Sequence, residues 1–163
     1  MNVLIIFFAI FIPIFIAFFW FMTYQNRKEG KEKEPLYIKI ISSFAVALII
    51  TLVFMFFIFI IFGTASFTTV IFNLDIDIKT ILFISVTIVA YSIIVDHLIF
   101  TAVKHIAGEN LLLIFSMFVI RLIIFISICS LYALTFNITI IISIVLNLLF
   151  TAIDYININK KEE

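Results

Sequence analysis

Arg121 stands in the first third of a 43-residue stretch, Leu111 to Ile153, that holds no other charged side chain. A guanidinium in apolar surroundings is costly unless it meets an anion or a wet cavity. Asp96, inside the preceding expected span, is the candidate for that anion. A helix ending near Val103 places Asp96 roughly 10 Å from its end, and one starting near Leu111 places Arg121 roughly 15 Å from its start. Two such helices, antiparallel and joined by a short turn, bring the groups within reach of an arginine side chain. The expectation is a structural ion pair that fixes helix packing. A proton or ion path and an unpaired, snorkelling arginine are the alternatives. The pairing predicts that Arg121→Leu and Asp96→Asn each lower accumulation in the membrane, and that swapping the two charges partly restores it.

His97 lies beside Asp96, and His97, Thr101 and His105 recur every four residues along one helix face. The two histidines are then about 12 Å apart along the axis, too far to share one metal ion. No metal site and no cofactor are expected. His97 joins Asp96 and Arg121 as a third buried polar candidate and as a group that titrates near neutrality. Asp75-Ile76-Asp77 has the form of the paired aspartates of sugar-nucleotide transferases, but acids just before a helix more simply stabilise its first turn. Asn137-Ile138-Thr139 matches the glycosylation sequon in a turn too close to the membrane to be a good acceptor. Ser and Thr are scattered through the apolar segments, where they help helices approach and bond across interfaces. The motifs of a hydrolytic nucleophile, a hydrolytic metal or a nucleotide cradle are not in the chain, so it reads as non-enzymatic.

The elements that position these residues follow from composition. Of 163 residues, 66% are hydrophobic and 22 are Phe, and the mean hydropathy is +1.37. Soluble domains run about 45–50% apolar, so the lipid bilayer is the expected surroundings. The fold expected is an all-α integral membrane helical bundle forming a single membrane domain. Ten basic residues balance ten acidic ones, which argues against direct nucleic-acid binding. The only cysteine, Cys129, rules out an intrachain disulfide.

Five spans can be read, at about 3–24, 40–62, 78–103, 111–134 and 138–156. The first carries Pro13, tolerated in a membrane helix, with Trp20 and Tyr24 suited to the interfacial aromatic belt. It reads as a retained anchor, because charges follow it and no small-residue cleavage site is evident. A hydrophilic loop, 26–39, comes next, broken by Gly30 and Pro35. Gly63 is expected to end the second span, with a weakly apolar loop running on to Asp77. Lys104 to Asn110 forms a turn around Gly108, and Thr135-Phe136-Asn137 breaks the last apolar stretch.

Arg27, Lys28, Lys31, Lys33, Lys39, Lys104, Lys160 and Lys161 fall on one side of this arrangement, and only Lys79 on the other. Such a bias places the first set in the cytoplasm. The amino terminus is then outside and the carboxyl terminus inside, as an odd number of spans requires. Arg27, Lys28, Lys31 and Lys33 are the candidate contacts for a cytoplasmic or membrane partner.

From about Leu36 to residue 158 the order of features resembles the YrvL/YvrL family of small bacterial membrane regulatory proteins. The shared outline runs from a short charged lead-in through an apolar span closed by Gly63. Phe67-Thr68-Thr69 follows, then the span around Leu82-Phe83 to Tyr91, the charged turn at Lys104 to Asn110, and two closely spaced terminal spans. Val3 to Tyr24 is additional to the family's four-span outline. The resemblance implies a non-catalytic protein of a bacterial inner membrane, restraining a transcription (sigma) factor. Two other readings stay open: a small transporter or channel with a buried Asp/His/Arg path, and an immunity-type membrane protein.

Overall fold

A computed structural model describes residues 3–28, 35–108 and 110–159, with side chains of 26–28 and 157–159 outside the description. Among these residues all regular structure is helical: α1 (Val3–Lys28), α2 (Leu36–Ile71), α3 (Ile78–Tyr91), a π-helical turn (Ser92–Asp96), α4 (His97–Ala107), α5 (Leu111–Leu131) and α6 (Phe136–Asn159). With α3, the π turn and α4 running on as one rod, five helices are long and apolar enough to cross a membrane. The chain is a multi-pass membrane protein whose apolar helices face lipid. Its contacts gather into two compact units, Met1–Phe57 and Ile58–Glu163, the boundary falling inside α2.

Within the first unit, phenylalanines every four residues make a ladder along α1. Phe7 stacks on Phe11 and Phe11 on Phe15, and Phe44 of α2 meets the Phe11 ring edge-on at 5.3 Å. Offset and edge-on ring pairs add about 0.5–1.5 kcal/mol beyond simple burial. Trp20 stacks on Tyr24 near the end of the apolar run. The hydrophilic connection is shorter than the expected 26–39, because Asn26–Lys28 extend α1 and Leu36–Lys39 already belong to α2. The Pro35 carbonyl accepts the first intrahelical bond, from Ile38 at 3.0 Å, and proline's missing N–H is harmless at a helix start.

Gly63 does not end α2, which continues to Ile71. A lone helical glycine costs only about 1 kcal/mol relative to alanine, and the apolar run resumes beyond it. Thr64 and Thr68 fold their hydroxyls back onto the carbonyls of Ile60 and Thr64. The stop is set by Asn73, which takes a left-handed φ of 48°. Leu74 N–H reaches back to the Thr69 carbonyl at 2.9 Å and Asn73 N–H to Val70 at 3.4 Å, the crossed pair of a Schellman cap.

In the second unit α5 packs chiefly along α6 and also touches α3 and α4. Its interior is built from Ile84 and Ile88 of α3, Leu113, Met117 and Phe125 of α5, and Ile142 and Leu146 of α6, all below 2% exposed. The expected turn at Lys104–Asn110 is tighter, since α4 runs to Ala107 before Gly108 turns the chain at φ 74°, ψ −178°. That region of backbone space belongs almost solely to glycine. Asn110 then caps α5, its carboxamide oxygen accepting from the N–H groups of Leu112 and Leu113. The last break also lies earlier than expected, at Tyr132–Thr135. It works without glycine because Ala133 takes a left-handed φ of 55°, with N–H bonds from Tyr132 to Cys129 and from Ala133 to Ser130, both 3.1 Å.

Candidate functional site

Three helical rods of the second unit converge on Arg121, which is 3% exposed. Its Nε donates to Asp96 Oδ1 and one terminal nitrogen, Nη2, to Asp96 Oδ2, both at 2.7 Å, a two-pronged grip on one carboxylate. The other terminal nitrogen, Nη1, donates to Asp154 Oδ2 on α6. The guanidinium carbon also lies 5.5 Å from the centre of the Phe150 ring. The aromatic face carries negative potential, so it favours the cation electrostatically. One cation is therefore held between two carboxylates and a ring, each charge satisfied by a neighbour.

Rings wall this cluster on one side. Phe125 meets Phe150 edge-on at 5.4 Å, and Tyr91 meets Phe125 edge-on at 5.9 Å. The Tyr91 hydroxyl donates to Asp96 Oδ1 at 3.2 Å, so Asp96 collects three donated hydrogen bonds in all. That contact depends on the π turn. Residues five apart on an ordinary α-helix lie about 140° apart around the axis, whereas the wider π turn nearly aligns them. The one-residue expansion between Ser92 and Asp96 is what sets Asp96 under the Tyr91 hydroxyl.

The structure thus brings Asp96 and Arg121 together and leaves His97 apart. His97 is exposed on α4, as are Thr101 and His105, and the Thr101 hydroxyl merely bonds the His97 carbonyl at 2.9 Å. The expectation of a buried His97 is corrected. One residue beyond the π turn, the helix has already carried that side chain around to the outer surface. Lys31 and Lys33 lie outside the described residues, as do the side chains of Arg27 and Lys28. Asp77 occupies the N-cap position of α3 with extended backbone but makes no side-chain cap bond. Thr139 of the sequon is buried in the first turns of α6. Among the described residues, no three His, Cys, Asp or Glu side chains gather where they could share a metal ion.

Two members of the cluster were not anticipated. Asp154 ends the uncharged stretch that makes Arg121 conspicuous, and it sits seven residues after Asn147. Two helical turns put both on the same face of α6. That spacing was a usable signal, and it went unused although Asp154 falls inside the expected span 138–156. Tyr91 had no comparable signal, because its partner is fixed by a π turn that sequence periodicity does not announce. Beside the cluster, Asn147 Nδ2 donates to the Phe118 carbonyl at 2.7 Å, tying α6 to α5. Toward the far end of α5, the Tyr132 and Thr87 hydroxyls bond to each other.

No family model matches the chain, and no curated protein or solved structure matches it either.

Proposed function

We propose that this chain is a non-enzymatic, multi-pass membrane regulatory protein of a bacterial inner membrane, acting by holding a cytoplasmic or membrane-bound protein partner. One observation carries the reading: the charges set deepest in the helices close on one another. Arg121 is engaged by Asp96, Asp154 and Phe150, a lock on helix packing that leaves partner contact to the ends of the rods. Arg27, Lys28, Lys31 and Lys33, between the first two spans, form the contact, as a basic cytoplasmic segment suits an acidic partner surface. The amino terminus lies outside and the carboxyl terminus inside. The resemblance in span order to the YrvL/YvrL family supports a sigma factor as the restrained partner.

The test is transcriptional. Deleting the gene is expected to raise one sigma-dependent set of transcripts. A chain with Arg27→Glu, Lys28→Glu, Lys31→Glu and Lys33→Glu, present at normal level in the membrane, is expected to reproduce the deletion. Unchanged transcripts in the deletion strain would overturn restraint of transcription, and full complementation by the four-fold variant would overturn the contact surface.

A further inference from the structure

Asp96 stands where residue 95 would stand on an unbroken α-helix, one turn below Tyr91, because Ser92–Asp96 take in one extra residue. Three hydrogen bonds hold it in that place, one from Tyr91 and two from Arg121. The helix on either side of the turn is seated very differently. On α3, Ile81, Ile84, Ser85, Ile88 and Val89 are buried, whereas α4 has no buried residue. Were the turn to close to an ordinary α turn, α4 would move and α3 would stay.

Closing the turn sends each residue of α4 about 1.5 Å along the axis and about 100° around it, into the place its successor now holds. The half-buried places on α4 belong at present to Ile99, Phe100, Val103, Lys104 and Ala107. Their new occupants are Leu98, Ile99, Ala102, Val103 and Ile106, all apolar. Leu98 and Ile106 are 66% and 87% exposed as the helix now stands, so the closed turn packs two bare side chains, and helix association in a membrane rests on such packing. Asp96, His97, Thr101, Lys104 and His105 all pass to places now exposed, and Phe100 is the one large apolar side chain turned outward with them. Arg121 keeps Asp154 and Phe150, one carboxylate for one guanidinium. Against these gains stands the loss of the two-pronged grip on Asp96.

We propose that α3 and α4 form a two-register switch with Asp96 as its latch. While Arg121 holds Asp96, the extra residue stays in the π turn. Release of Asp96 closes the turn and rotates α4, bringing His97, Thr101, Lys104 and His105 into one exposed arc of about 100°. Gly108, at φ 74°, is the joint that absorbs the rotation before α5. The buried cluster is thereby coupled to the end of α4, about 15 Å from Asp96. Coupling of this kind is reciprocal, so a ligand that engages Lys104 in its outward place loosens the Asp96–Arg121 pair. The switch does not depend on the partner reading, and transcript levels do not report helix register.

The experiment moves the acid by one residue. In Val95→Asp/Asp96→Val an unbroken α-helix sets the new carboxylate one turn below Tyr91 and opposite Arg121, so the ionic cluster is kept and only the register changes. Single cysteines at Lys104 and Ile106 read the register in the full chain in lipid bilayers through their rates of maleimide labelling, Cys129 being buried. In the parent chain Ile106→Cys is expected to label faster than Lys104→Cys. The order is expected to reverse in Val95→Asp/Asp96→Val, with the chain accumulating better than Asp96→Val alone. Asp96→Asn is expected to reverse it too, but not in a chain lacking Ile94, which has no extra residue to give up. An unreversed order in Val95→Asp/Asp96→Val, or accumulation as poor as that of Asp96→Val, would overturn the second register. An unchanged order in Asp96→Asn would overturn the latch. A reversal by Asp96→Asn that survives deletion of Ile94 would mean a loosened α4 with no change of register, and would overturn the switch.

Discussion

Arg121 spends all three of its guanidinium nitrogens on carboxylates, so its removal strands two anions instead of one. Breaking a buried pair from one side costs about 3–5 kcal/mol. Arg121→Leu is therefore expected to reduce membrane accumulation more than Asp96→Asn, which leaves the guanidinium its Asp154 and Phe150 contacts. Quantitative blots of membrane fractions check the order. Asp154 also alters what charge swapping should do. Exchanging the charges at 96 and 121 sets the new carboxylate at 121 against Asp154, so recovery should be poor until Asp154→Asn is added, and good recovery without it would contradict the three-way cluster. Tyr91→Phe keeps the ring packed on Phe125 but loses its hydrogen bond to the carboxylate. The expected loss is about 1.5 kcal/mol, the low end for a bond to a charged acceptor because its 3.2 Å is long; thermal unfolding in detergent measures it. The Arg121–Asp96 contact was legible in the sequence because depth along two antiparallel helices is simple arithmetic. Asp154 was less so: the expected span 138–156 contains it, but Asp96 alone already balances the charge of Arg121, so nothing in the sequence calls for a second carboxylate.

At the level of elements, the turns decide what hydropathy leaves open. Ala133 stands in left-handed backbone at φ 55°, a conformation that costs a residue with a Cβ roughly 1–2 kcal/mol. Ala133→Gly is expected to stabilise the protein by about 0.5–1 kcal/mol once glycine's greater freedom in the unfolded chain is subtracted. Gly108→Ala is expected to destabilise it by about 1–3 kcal/mol, as the φ 74°, ψ −178° geometry has no room in backbone space for alanine. Opposite shifts of thermal midpoint in the two variants are the check. Gly63→Ala offers a third case: a Cβ there meets nothing within 4 Å, so with α2 helical across it the substitution should be neutral or raise stability by up to about 1 kcal/mol. A loss would argue for the broken helix that the sequence suggested. Glycine was a poor guide to helix ends in this chain because two of the stops rest on Asn73 and Ala133, residues whose left-handed backbone is fixed by hydrogen bonds from neighbouring turns.

For the whole molecule, five crossings require the two termini to lie on opposite faces of the membrane. Single cysteines introduced at Asn2 and Glu163 should label from opposite sides with an impermeant maleimide, Cys129 being buried; labelling from a common side would overturn the topology. The amino-acid sequence by itself determined the helical class, the number of crossings and the membrane surroundings, because these follow from local composition: long apolar runs have no stable alternative in lipid. It also marked Arg121 and Asp96 as the expected ion pair. Tertiary structure alone decided that Asp154 and Tyr91 join them, that His97 turns outward, and that Asn147 ties α6 to the Phe118 carbonyl of α5. Those outcomes depend on how rods rotate about their axes and where a π turn adds a residue to the register, and such rotation is set by packing between segments distant in the chain.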